Sequence, residues 1–219
     1  MEPLKVPFED KYLEARVNKT RNAIATILLA HGAGAGMDHS FMEILTDALV
    51  KRQMNVVRFN FPYITERKKF TGSPKQNIDA WSAILSWAGI QFPNPIYIAG
   101  KSYGGRMASH LAAEYSNLPI QGIIYFGFPL HAPSKPSTDR ANHLEEVNYP
   151  QLFLQGTNDA LADIRLIRQK VPTLPRATLI EHSEADHSFK QKGKKQGLVL
   201  EELAEDVLTW LPVKIAGKN

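Results

Sequence analysis

The 219-residue sequence contains no cysteine. Disulfide scaffolds, thiolate metal sites, iron–sulfur clusters and cysteine nucleophiles are thereby excluded, and any covalent catalysis must use another side chain. Long apolar runs are missing too. None approaches the roughly 18 residues a membrane-crossing helix needs, and the stretch Met1–Asp10 lacks the apolar core of a signal peptide. The expected compartment is the cytoplasm, with no membrane partner. Neither sign of charge dominates: 26 Lys and Arg against 22 Asp and Glu leave a net +4. The basic clusters carry no interleaved aromatics and match no nucleic-acid motif, so no nucleic-acid partner is predicted. Repeats and low-complexity tracts are absent. What remains, 43% hydrophobic residues with 14 Gly and 14 Pro, is the composition of an ordinary globular chain of a length that fits one domain, 1–219.

Short β-branched or aromatic runs alternate with longer amphipathic segments, which predicts an α/β fold with a mostly parallel sheet. The expected strands are Ile24–Ala30, Asn55–Phe61, Pro95–Ala99, Gly122–Gly127, Leu152–Gln155 and Ala177–Glu181, with an antiparallel edge around Leu4–Phe8 and Tyr12–Val17. Helical spacing joins Phe41, Ile44, Leu45, Ala48 and Leu49. It also joins Ile78, Trp81, Ile84, Leu85 and Ala88, and Leu200, Leu203, Ala204, Val207, Leu208 and Leu211. Further helices are expected at Tyr103–Tyr115 and Ala160–Lys170. The Pro-rich stretches Pro62–Pro74 and Pro129–Pro150 read as surface loops beside a site.

The segment Ile96-Tyr-Ile-Ala-Gly-Lys-Ser-Tyr-Gly-Gly105 runs from a strand into G-x-S-x-G and then into a helix. A serine on so tight a turn leaves no room for side chains two before it or two and three after it, and Gly100, Gly104 and Gly105 remove them. Ser102 is the candidate nucleophile; a plain turn serine is the bland alternative. A phosphate-loop reading of Gly100-Lys101-Ser102 fails because Pro95 stands where that motif needs glycine and Ile96–Ala99 read as strand.

The strand Ile24–Ala30 ends in His31-Gly-Ala-Gly-Ala-Gly36, whose backbone N–H groups can approach a ligand closely. A tetrahedral intermediate needs two fixed donors. The first candidate is the N–H of Tyr103, and the second is that of Ala33, with Gly34 next. A dinucleotide fingerprint breaks at Met37, and a ligand-free helix entry is the bland reading. Downstream, Asp159 follows the strand Leu152–Gln155 at its carboxyl end, where it can orient a histidine; Asp163 is its rival, and a helix cap at Asn158 or Asp159 the structural alternative. The base follows the last strand. His187 is favoured because a loop can carry its ring over Ser102, while His182 remains tied to the strand. Glu184 and Asp186 nearby lack metal-ligand spacing, so neither a metal nor a cofactor is expected. The order Ser102, Asp159, His187 makes three weak signals one constellation, that of acyl transfer through a covalent intermediate.

His31-Gly-Ala-Gly-Ala-Gly-Met37, Gly100-Lys-Ser-Tyr-Gly-Gly-Arg-Met107, Leu154-Gln-Gly-Thr-Asn-Asp159 and Ala185-Asp-His-Ser-Phe189 resemble the α/β-hydrolase superfamily. More closely they resemble its small dienelactone-hydrolase-like group, which includes testis-expressed relatives and a subunit of the NSL histone-acetyltransferase complex. The resemblance implies a three-layer fold, a nucleophile at Ser102, an acid at Asp159, a base at His187 and a serine esterase of unassigned substrate. True dienelactone hydrolases use a cysteine, so their substrate is not carried over. Larger relatives insert a cap after the strand ending near Gly127; here the next strand begins only about 25 residues later, so no cap domain is expected. The implied partner is a small acyl substrate. An anionic one is one reading of the clusters Arg67-Lys68-Lys69 and Lys190, Lys192, Lys194 and Lys195, both expected near the rim; a solvated surface is the other. A protein-interaction module on the same scaffold, and an acyltransferase or peptidase with the same triad, are the competing functions.

Overall fold

The computed structural model describes residues 3–212; residues 1–2 and 213–219 of the expected domain lie outside them. Eight strands form one sheet: β1 (Leu4–Phe8), β2 (Lys11–Asn18), β3 (Ala25–Ala30), β4 (Met54–Phe59), β5 (Ile96–Lys101), β6 (Gly122–Phe126), β7 (Gln151–Gly156) and β8 (Ala177–His182). Their spatial order is β1-β2-β4-β3-β5-β6-β7-β8. β2 is antiparallel to both β1 and β4, and the remaining pairs are parallel. Strands that bury both faces need apolar residues at successive positions rather than at alternate ones. β3 meets that demand at all but Thr26 and buries every residue; β4 is buried throughout as well, but it includes Asn55 and Arg58, whose side chains are hydrogen-bonded.

Alternate side chains divide into two cores. Leu28, Ala30, Val57 and Phe59 join one face, which is covered by α3 (Pro74–Gln91), α4 (Tyr103–Glu114) and α5 (Ile164–Lys170). Ile27, Leu29 and Val56 join the other, covered by α1 (Ser40–Lys51) and α6 (Gln196–Trp210). Most of the residues expected from helical spacing are buried, Phe41, Leu45, Ala48 and Leu49 on α1 and Trp81, Ile84, Leu85 and Ala88 on α3, but Ile44 is exposed and Ile78 only half-buried. Each large side chain sealed in this way stabilises the fold by about 1.5–3 kcal/mol. Arg52 joins α1 to Glu205 of α6 at 2.8 Å, an exposed contact worth about 1 kcal/mol or less.

The expected start of α5 and the two expected loops change. α5 begins at Ile164 rather than Ala160, because Asp163 caps it, accepting from the Arg165 N–H at 2.9 Å. The stretches 62–74 and 129–150 are not plain loops. The first opens with a short helix, α2 (Pro62–Thr65), started by a proline whose fixed φ suits a first helical turn. The second holds a 3₁₀ helix, Asp139–Glu146, that buries Ala141 and Leu144. Between β6 and β7 no separate cap is present among the described residues.

The chain leaves β3 toward β4 and then crosses back over β3 to β5. Such a reversal opens a crevice at the carboxyl ends of the two strands, where open α/β sheets place their ligands. The His31–Gly36 loop leaves β3 there, and Ser102 leaves β5 beside it.

Candidate active site

Ser102 sits between the last residue of β5 and the first of α4 with φ 50° and ψ −115°. That conformation strains any residue with a Cβ. The surrounding glycines explain how the turn is held. A Cβ on Gly100 would lie 2.1 Å from the Gly105 nitrogen, and one on Gly104 would lie 2.6 Å from the His31 carbonyl oxygen. A Cβ on Gly105 would meet the Gly100 oxygen at 2.8 Å. Only glycine fits at these three positions, and the packing they permit presses the first turn of α4 against the ends of β3 and β5. The Ser102 N–H donates to the Phe126 carbonyl at 3.1 Å, binding the turn to β6.

The structure brings Ser102, His187 and Asp159 together from three separate strand ends. Oγ of Ser102 lies 2.8 Å from Nε2 of His187, and Nδ1 of His187 lies 2.7 Å from Oδ2 of Asp159. A carboxylate can only accept, so Nδ1 carries the proton donated to Asp159, and the Nε2 lone pair faces the serine hydroxyl. The Asp159 side chain is fully buried. Its Oδ1 accepts from the Leu161 N–H and its Oδ2 from Gln155 Nε2, each at 2.7 Å.

Two loops in backbone contact set the spacing of acid and base. The Thr157 N–H donates to the His182 carbonyl at 3.0 Å and the Asn158 N–H to that of Ala185 at 2.9 Å. Phe189, buried at φ 55° and packed against Phe41, anchors the far end of the histidine loop.

The rival residues lie elsewhere. Asp163 serves as the cap of α5. His182 ends β8, buried against Phe189, with Asp206 of α6 3.0 Å from its Nε2. Burial pushes its pKa down, opposed by Asp206.

A cleft of about 480 Å³ opens over Ser102, lined among others by Ala33, Phe41, Leu161, His187 and Lys190. Ala33 is exposed on its wall, whereas Gly34, at φ 73°, is not among the lining residues. Tyr103 opens α4, and the first N–H groups of a helix have no intrahelical acceptor. Neither Pro-rich stretch lines the cleft, and of the two basic clusters only Lys190 reaches it. Lys68 instead pairs with Glu66 and Lys194 with Glu202.

A family model described as the alpha/beta hydrolase domain matches residues 23–211. The chain belongs to the alpha/beta hydrolase family. Among solved structures, this alpha/beta hydrolase domain is similar to a serine hydrolase homologue from Coxiella burnetii, with a TM-score of 0.76 and 20% identity, covering 96% of this chain and 97% of that one. It is similar to a serine hydrolase without lid from Xanthomonas campestris at a TM-score of 0.75 and 23% identity, over 96% and 95% of the two chains. A dienelactone hydrolase from Anabaena variabilis matches at 0.74 and 16%, over 95% and 94%. At these identities the likeness is one of fold.

Three residues of the candidate site escape a reading of motifs. Gln155 is one, and its only sequence signal is an amide inside an otherwise apolar strand. His31 is another: it is fully buried, accepting from the Phe61 N–H at Nε2 and facing the Gly32 carbonyl through Nδ1 at 2.8 Å. With Asn60, whose Oδ1 accepts from the Met37 N–H at 2.8 Å, it fixes the glycine loop from below. Burial holds the His31 pKa down to about 4. The third is Lys101, inside the elbow itself, whose ammonium has no hydrogen-bond partner.

Proposed function

We propose that this protein is a serine esterase that cleaves a carboxylic ester or related acyl bond through Ser102, His187 and Asp159. The observation that carries the reading is the unbroken hydrogen-bonded series from Ser102 Oγ through the His187 ring to Asp159, open at its serine end to the cleft. His187 takes the hydroxyl proton as Ser102 Oγ bonds to the acyl carbon, and Asp159 stabilises the imidazolium. The N–H groups of Tyr103 and Ala33 receive the charge on the former carbonyl oxygen. His187 then protonates the leaving alcohol, and the same base directs water onto the acyl-enzyme to free the acid and restore the serine.

The lining supports an acyl group that is neutral or anionic. Besides His187 it carries His39, Lys101 and Lys190 and, among the described residues, no carboxylate. The test is a fluorophosphonate probe followed by peptide mass spectrometry: the adduct is expected on Ser102 and absent from Ser102→Ala. A wild-type protein that stays unlabelled beside a reactive control hydrolase overturns the reading.

A further inference from the structure

Lys101 ends β5, and its stem passes beneath the glycine loop, with Cγ 3.7 Å from the position a Gly32 Cβ would take. Its Nζ is buried without a hydrogen-bond partner, between the rings of Phe41 and Phe189 at 5.8 Å from each centroid. The same nitrogen faces the proposed acid. A Cβ on Gly127 would lie 3.3 Å from Lys101 Nζ and 3.5 Å from Asp159 Oδ2. Ammonium and carboxylate both border the space that a side chain on Gly127, at φ 70°, would fill, and the two do not touch as an ion pair.

An unpaired buried ammonium is costly, and a buried carboxylate beside a neutral imidazole is equally short of a counter-charge. Here each supplies what the other lacks. We propose that Lys101 is a positioning residue whose ammonium is the standing counter-charge of Asp159 while His187 is neutral, opposing proton uptake by His187 from solvent. This rests on the triad reading above. A fixed cation disfavours a second cation nearby. A proton arriving from Ser102 is accompanied by new negative charge on the substrate oxygen, so the site's net charge is unchanged; a proton arriving from water brings no such compensation. Lys101 therefore opposes the idle protonation more than the productive one.

The charged groups bearing on Lys101 are Asp159 after β7 and Asp186 after β8; α1 presents the Phe41 ring. Asp186 is engaged through Oδ1 by the N–H groups of Ser188 and Lys190. Burial lowers the lysine to about 8 against the pull of both carboxylates, so the charge is present in neutral solution and fades above it.

The experiment follows the rate of Ser102 labelling by a fluorophosphonate from pH 5 to 9 in wild type, Lys101→Met and Lys101→Arg. The wild-type to Lys101→Met rate ratio is expected to be larger at pH 6 than at pH 9 by about threefold or more, the size of half a pH unit. Lys101→Arg is expected to keep a constant ratio to wild type below pH 8. A pH-independent ratio for Lys101→Met marks a packing role and overturns the proposal. Wild-type protein with isotope-labelled lysine and histidine gives a second readout that needs neither a folded variant nor turnover. The Lys101 ammonium signal should shift once with its own titration and again, to a smaller extent, where the His187 ring titrates. A single step overturns the coupling even where Ser102 labels normally, and two steps uphold it even where Ser102 does not label.

Discussion

A Cβ on Gly156 would lie 2.3 Å from the carbonyl oxygen of Ala185. The turn after β7 and the turn after β8 thus rest backbone on backbone, which fixes how far Asp159 stands from His187. The contact cannot be relieved by a side-chain rotation, because both partners are main chain. Gly156→Ala is expected to lower unfolding stability by about 2 kcal/mol or more, as overpacked interiors do, and to reduce Ser102 labelling beyond what the lost folded fraction explains. Urea unfolding and labelling kinetics on one preparation check both. Wild-type labelling by a destabilised but folded variant would show that the two loops find their spacing without this contact.

Gln155 donates to the Asp159 oxygen that faces His187. Hydrogen bonds to a charged group contribute about 1.5–3 kcal/mol. Gln155→Leu keeps the volume and removes the donor, and the ester-hydrolysis rate should fall roughly 10- to 100-fold if that orientation energy is lost in the transition state. Because the amide touches neither substrate nor nucleophile, KM should change little. A loss confined to KM contradicts this placement.

Residues that act as one unit fail together. Ser102→Ala and His187→Ala should each lower kcat by about the same large factor, and the double variant should be no slower than either. Steady-state kinetics on an activated ester decide it: additive losses would mean that the two side chains work separately.

His31 links acidity to stability. Its folded pKa of about 4 lies below the usual 6.5, so between those values the unfolded chain binds a proton that the folded chain refuses. The stabilisation is complete above about pH 6.5 and is lost as pH falls toward 4, by about 3 kcal/mol. Protonating Nε2 would also set a donor against the Phe61 N–H. Urea unfolding at pH 7 and pH 4.5 measures the loss, and a His31 ring signal titrating near 6.5 would remove its cause.

The central strands were legible because burial on both faces leaves apolar runs that punctuation by Gly and Pro then delimits, as in β3, which ends at Ala30 as expected; the half-exposed edge Leu4–Phe8 also matches β1 in full, and most other ends shift by only one or two residues. The candidate site was legible where chemistry and backbone constraint coincide. Gly100, Gly104 and Gly105 mark Ser102 because no other residue fits around it. Other features depend on neighbours brought together only by the fold. Whether Asp159 or Asp163 faces the histidine turns on which of them caps α5. The 3₁₀ helix at Asp139–Glu146 follows from the surface of α4 that it covers. Nothing in the order of residues joins Lys101 to Gly127 and Asp159, which are adjacent strand ends in space and well apart along the chain.

Ser102 occupies backbone angles that glycine would adopt with far less strain. A residue forced into such a region costs of order 1–3 kcal/mol, so Ser102→Gly should melt higher than wild type while losing its nucleophile. Stability and activity thus make opposite demands at one position, and selection for robustness alone would discard the hydroxyl. A serine standing at that angle records a working constraint on the chain stronger than its preference for staying folded.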